Sequence, residues 1–120
     1  MFATTIRFSI PVNTDWQTFQ HTLIHRAFDV CRHVSGLRSQ AFLFSPERSE
    51  FGGNYVWETQ DDAEAFLRSD MWQDQIAQFG EPRIERAELF AYVEAGELVF
   101  PPDYEWHVVS SEITIPPPLA

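Results

Sequence analysis

The sequence predicts an α+β fold of the ferredoxin-like kind, β-α-β-β-α-β, with four antiparallel strands and the helices on one face. Three observations predict it. The chain opens on a strictly alternating apolar run. Two helical stripes follow, each with a capping residue ahead of it and a glycine behind it. The strand-like segments around them come in the order that splits one β-α-β unit with another.

Phe2, Thr4, Ile6, Phe8 and Ile10 alternate with Ala3, Thr5, Arg7 and Ser9. A period of two makes this a strand with one strongly apolar face. Pro11 and Asn13 end it. Thr14, with Gln17 three residues on, fits a capping box that opens a helix. Trp16, Phe19, Leu23, Ala27, Val30 and Val34 then recur at helical spacing, and Gly36 stands where a left-handed cap belongs. The second strand, residues 37–45, puts Gln40, Phe42 and Phe44 on one face. Residues 46–51 read as a charged turn. The third strand, residues 53–58, sets Tyr55 and Trp57 on one face and Val56 on the other. Thr59 with Asp62 opens the next helix, with Ala63, Phe66 and Leu67 inward. Ser69 or Asp70 restarts it through Met71, Trp72, Ile76 and Phe79 until Gly80 and Pro82 stop it. Residues 83–94 form the expected fourth strand, with Ile84, Arg86, Glu88, Phe90 and Tyr92 sharing a face.

The 120 residues suit one domain. The net charge of -10 disfavours a nucleic acid backbone and an anionic membrane surface, and no apolar run is long enough to span a bilayer. All basic side chains are Arg, so no lysine Schiff base and no phosphate-loop lysine is available. Cys31 is the single cysteine and reads as a small packing residue. No intramolecular disulfide is available to it, and a cytoplasmic location is the expectation. The sheet face turned away from the helices also carries apolar residues. A second copy of the sheet is the simplest cover for it, hence a homodimer. Residues 1–96 form the expected core domain. Residues 97–120 form a proline-bracketed tail whose Tyr104, Trp106, Val108 and Val109 favour docking on the sheet edge or on the partner.

His21, His25 and Asp29 at i, i+4, i+8 share a helix face, but that face lies opposite the apolar stripe and reads as solvated. Arg86, in an apolar strand, needs a carboxylate such as Glu88 or Glu58, or an anionic ligand. Tyr55 needs a partner for its hydroxyl if it is buried. Asn54 either donates to a ligand carbonyl or finishes a turn.

The stretch Glu50–Phe51–Gly52–Gly53–Asn54–Tyr55–Val56–Trp57–Glu58, followed by Ala63–Glu64–Ala65–Phe66–Leu67, resembles the YdhR-like monooxygenase family. That family sits in the antibiotic-biosynthesis-monooxygenase group of dimeric α/β barrels. Arg86 to Val93 is similar to its last strand. The resemblance spans roughly residues 1 to 95, and it implies a hydrophobic pocket between sheet and helices. Ile76 falls where haem-degrading relatives carry their iron-ligating histidine, and isoleucine cannot bind iron. The resemblance therefore implies a small enzyme without cofactor or metal, acting on an aromatic or polyketide-like molecule as monooxygenase or cyclase. The alternative is a non-catalytic binder or accessory subunit. In the enzyme reading Tyr55, Asn54 and Arg86 stabilise charge, and Phe8, Trp57, Phe66, Trp72 and Phe90 hold the substrate's rings.

Overall fold

The computed structural model describes residues 1–11 and 13–100. Its element order is β1 (Phe2–Ser9), α1 (Trp16–Cys31), β2 (Leu37–Ser45), β3 (Glu50–Trp57), α2 (Gln60–Leu67), α3 (Asp70–Phe79), β4 (Arg83–Glu88), β5 (Tyr92–Glu94) and β6 (Glu97–Val99). The main sheet is antiparallel in the order β2-β3-β1-β4. This is the ferredoxin-like α+β arrangement, with the second helix of the pattern divided into α2 and α3. Most of the docking tail expected from the sequence, residues 101–120, lies outside the described residues.

Alternation on β1 sets the layers. Phe2, Thr4, Ile6 and Phe8 are buried. Their register partners on β3 are Trp57, Tyr55, Gly53 and Phe51. These two rows form the floor of the core, and the helices close it from above. Phe8 packs on Phe51, Trp72 and Phe79 with centroids 5.3, 5.3 and 6.1 Å apart. Trp57 is 0% exposed, and its indole N–H donates to the Thr4 hydroxyl across 3.0 Å, which satisfies two buried polar groups at once.

The helix starts follow the side chains that can reach free backbone N–H groups. Thr59 accepts from Asp62 N, and Ser69 accepts from Trp72 N. At α1 the expected capping box is replaced. The Asp15 carboxylate accepts from the backbone of Gln17 and Thr18, while the Thr14 hydroxyl turns back to the Pro11 carbonyl. Asp15 is one residue nearer the first turn, and its charge suits the positive helix end. α1 stops at Cys31, short of Val34. Gly36 does adopt a left-handed φ of 79°, but in the following turn, where a Cβ would run into Asp62.

Two strand boundaries differ from the sequence reading. β3 begins at Glu50, because a short 3-10 turn over Pro46–Arg48 reverses the chain sooner than a six-residue loop would. The single long strand expected over residues 83–94 is broken. β4 pairs with β1 only as far as Phe2↔Glu88. Leu89 N then donates to Met1 O at 3.1 Å, one residue ahead of the start of β1. The chain crosses the end of the sheet, where the Tyr92 hydroxyl accepts from Arg38 Nε on β2, and pairs with itself as the β5–β6 hairpin. Ala95 and Gly96 turn that hairpin with φ of 50° and 81°, both in the region that a two-residue turn requires. The core boundary drawn at Gly96 thus falls inside a hairpin turn.

Candidate functional site

A cleft opens between α1 and the sheet, and residue size explains where. The first half of α1 stands on large rings: Phe19 lies 4.8 Å from Phe51, and Trp16 lies 5.7 Å from Phe44, both edge-on. The second half presents Ala27 and Cys31 to the cleft. On the floor below, the inward position between Phe51 and Tyr55 is Gly53, which has no side chain. Large residues at one end and small ones at the other hold the helix off the sheet. A Cβ at Gly53 would fit tightly, 3.0 Å from the Tyr55 ring and 3.1 Å from the Ala41 carbonyl.

The inner part of the cleft is small, about 40 Å³, and is walled by Phe8, Phe51, Phe66, Met71 and Trp72 among other apolar groups. Its polar walls are Tyr55, Cys31, Gln40, Gln75 and Arg26. A second, more open chamber of about 300 Å³ shares Ala27, Cys31, Gln40 and Phe42 with it and continues to Phe28, Arg32 and Arg38. A space of the inner size holds one or two waters or the tip of a ligand. The outer chamber is large enough for a ring system.

Tyr55 is the feature that asks for a ligand. Its ring stacks on Trp57 at 6.0 Å and packs on Phe66 at 5.7 Å, leaving it 7% exposed. Its hydroxyl has no hydrogen-bond partner among the described residues. Leaving a buried hydroxyl unpaired costs about 1–3 kcal/mol, so folded proteins rarely do it without a use. Burial pushes the phenol well above its ordinary value, and the neighbouring Cys31 pushes the same way. Burial raises the Cys31 thiol too, while its contact with the Gln40 side chain pulls the other way. Both groups therefore stay protonated at neutral pH. The site offers hydrogen-bond donors rather than a base or a thiolate.

The other residues singled out from the sequence are spread more widely. Phe8, Phe66 and Trp72 wall the inner cleft, and Trp57 supports Tyr55 from beneath. Asn54 points to the opposite face of the sheet, where its side chain accepts from the Thr5 hydroxyl at 2.7 Å. Arg86 lies at the β4 rim. Its partner is Glu64 of α2, bound through Nε at 2.7 Å and Nη2 at 3.4 Å, rather than Glu88 or Glu58. Phe90 follows the end of β4 and is 61% exposed. The structure thus does not bring Asn54, Arg86 or Phe90 to Tyr55. The polar neighbours it does bring are Gln40, a lone amide on the apolar face of β2, and Cys31, hidden in a helical stripe. His21 and His25 meet edge-on on the exposed side of α1 with centroids 4.4 Å apart, and no group of three metal-ligating side chains occurs among the described residues.

No family model matches the chain, and no curated protein matches its sequence. Solved structures do. A Nitrosomonas europaea protein of unknown function superposes with a TM-score of 0.64 at 18% identity, over 78% of this chain and 92% of that one. A Deinococcus radiodurans protein that carries the name antibiotic biosynthesis monooxygenase provisionally gives 0.60 at 13% identity, over 78% and 97%. A further structure named antibiotic biosynthesis monooxygenase gives 0.59 at 6% identity, over 74% and 98%. The last two carry the name of the group that the β3 and α2 motifs resemble. At such identities the likeness is one of fold, and function has to be argued from the site.

Proposed function

We propose that the cleft beneath α1 is the substrate site of a small enzyme acting on an aromatic or polyketide-like molecule, as a monooxygenase or cyclase without a resident cofactor. The observation that carries this reading is the buried, unpartnered hydroxyl of Tyr55 in an apolar cleft. A neutral phenol held there donates to a substrate oxygen and favours the state in which that oxygen gains negative charge, an enolate or phenolate. Gln40 is placed to share that oxygen, and the Phe8, Phe66 and Trp72 rings exclude water around it. In the oxygenase form an acidic methylene loses a proton to solvent. The resulting carbanion passes electrons to dioxygen and forms a C–O bond. The hydroperoxide then loses water, so that one methylene and one dioxygen give one carbonyl and one water.

Anthrone, a tricyclic ketone with such a methylene, is a suitable probe. Oxygen uptake with equimolar quinone formation, faster than in buffer, is the expected result. Neither turnover nor saturable binding of any such aromatic would overturn the reading. Saturable binding without uptake would instead favour a non-catalytic binder. That alternative draws support from the described walls of the cleft, which hold no carboxylate or histidine.

The homodimer belongs to the same proposal. The outer face of the sheet carries Ala3, Ala41, Leu43, Val56 and Ala87 around the Thr5–Asn54 hydrogen bond and the Arg83–Glu50 pair, and no helix of the described residues covers it. A second sheet would bury more than the roughly 1,000 Å² that marks a stable contact. Sedimentation at micromolar concentration should give twice the 13.9 kDa chain mass, and a species of 13.9 kDa alone would refute the pairing.

A further inference from the structure

We infer that the ligand of this cleft is an organic anion, with a flat apolar body and a carboxylate held at the outer mouth by Arg32 and Arg38. The inference rests on the reading of the cleft as a ligand site and adds the charge and orientation of what enters it. The chain has 18 acidic and 8 basic side chains. Yet the described walls of the two chambers include Arg26, Arg32 and Arg38 and no Asp or Glu. The carboxylate that reaches this opening, Glu58, is held on Arg38 and does not line the chambers. A positive local field attracts anions against the net charge of the whole molecule.

Both mouth arginines have donors to spare. The Arg32 guanidinium lies over the Phe28 ring at 5.1 Å, and no carboxylate pairs with it among the described residues. Stacking occupies the face of the planar group and leaves its N–H edges for a carboxylate. Arg38 donates Nη1 to Glu58 at 3.1 Å and Nε to Tyr92 at 3.2 Å, while its Nη2 makes no hydrogen bond among the described residues. Two anchored guanidinium groups beside one chamber suit a carboxylate better than a single mobile cation would. The chamber also explains two exposed rings. Phe28 is 59% and Phe42 36% exposed, and both line it, so a flat ligand between them would cover apolar area that water now wets. The shared wall at Gln40 and Cys31 then directs the far tip of the ligand into the inner 40 Å³, toward Tyr55. Only a single oxygen-bearing edge fits there. The ligand is thus polar at both ends: a hydroxyl or carbonyl inside, an anion outside.

The probe pair 6-hydroxy-2-naphthoate and its primary amide tests this, because the two differ in charge and hardly in shape. Calorimetric titration of the full chain at neutral pH should show the naphthoate binding about tenfold more tightly than the amide. Raising salt from about 0.05 M to about 0.5 M should weaken the naphthoate and leave the amide unchanged, because the mouth pair is exposed to screening. Arg32→Gln, and separately Arg38→Gln, should bring the two probes within about threefold of each other. Equal or tighter binding of the amide to the unaltered chain would overturn the anion inference while leaving the cleft as a ligand site. That comparison needs no variant to fold. An unchanged ratio in both variants would overturn it as well. Binding of neither probe would sink the inference together with the reading it rests on.

Discussion

Tyr55→Phe is expected to make the protein more stable and its site inactive. The substitution keeps the ring that stacks on Trp57 and Phe66 and removes only an oxygen that no described residue hydrogen-bonds. Relief of an unsatisfied buried hydroxyl should raise the unfolding free energy by about 1 kcal/mol. Loss of the donor at the developing oxyanion should lower turnover of a responsive substrate by about 100-fold to 1,000-fold. Turnover is the diagnostic, since a tyrosine that served packing alone would leave turnover intact once its ring is kept. Urea unfolding and oxygen uptake on the same preparation separate the two cases. A pH series adds a third reading. The folded phenol titrates above its unfolded value of 10.0. Its neutral form therefore contributes stability in full below about pH 10, and that contribution is lost as the pH rises toward the folded value. Alkaline destabilisation above about pH 10 should be weaker in the Phe variant, while the activity profile near neutrality should show no Tyr55 ionisation.

Trp57→Ala should leave little or no folded protein. Trp57 is fully buried at the junction of β1, β3 and α2, with Phe66 5.2 Å away and Tyr55 stacked on it. Removing so large a side chain from a packed core costs about 3–5 kcal/mol. The change also leaves the Thr4 hydroxyl, 1% exposed, without its indole donor, which adds a further penalty of about 1 kcal/mol or more. Domains of this size have about 5–15 kcal/mol in all, so the variant falls near or below the threshold for folding. Trp57→Phe should cost less, because it keeps most of the ring volume. Thr4→Val keeps all of it and isolates the hydrogen bond. Far-ultraviolet dichroism with urea unfolding gives the order. A Trp57→Ala protein as stable as the parent would show that the core is not centred here.

Much of the site's floor is legible in the amino-acid pattern. Alternation on the first strand fixes which residues face the helices, and the Gly-Gly-x-Tyr-x-Trp run places Tyr55 and Trp57 on that same side. The same rule bears on Asn54: adjacent strand residues point to opposite faces, so an inward Tyr55 sends Asn54 outward. Thr59 and Ser69 cap their helices as their spacing predicts. Asp15 displaced Thr14 because two oxygens compete for the same N–H groups, and their geometry is settled only when the loop from Pro11 is placed.

What the sequence determined by itself is periodic or local: strand faces, helix stripes, caps, the order of elements and the sign of the net charge. These depend on neighbours a few positions away, and the chain carries them in its pattern. What the tertiary structure alone decided depends on residues far apart in sequence. β4 ends at Glu88, opposite Phe2, the first residue of its partner strand β1. Arg86 pairs with Glu64 because α2 packs on β1, the strand next to β4, and brings Glu64 within reach. The cleft exists where the small Ala27 and Cys31 of α1 come to rest beside Gln40 of β2. None of those small or neutral residues announces a cavity on its own, since a cavity is a mismatch of volumes between elements that only packing brings face to face.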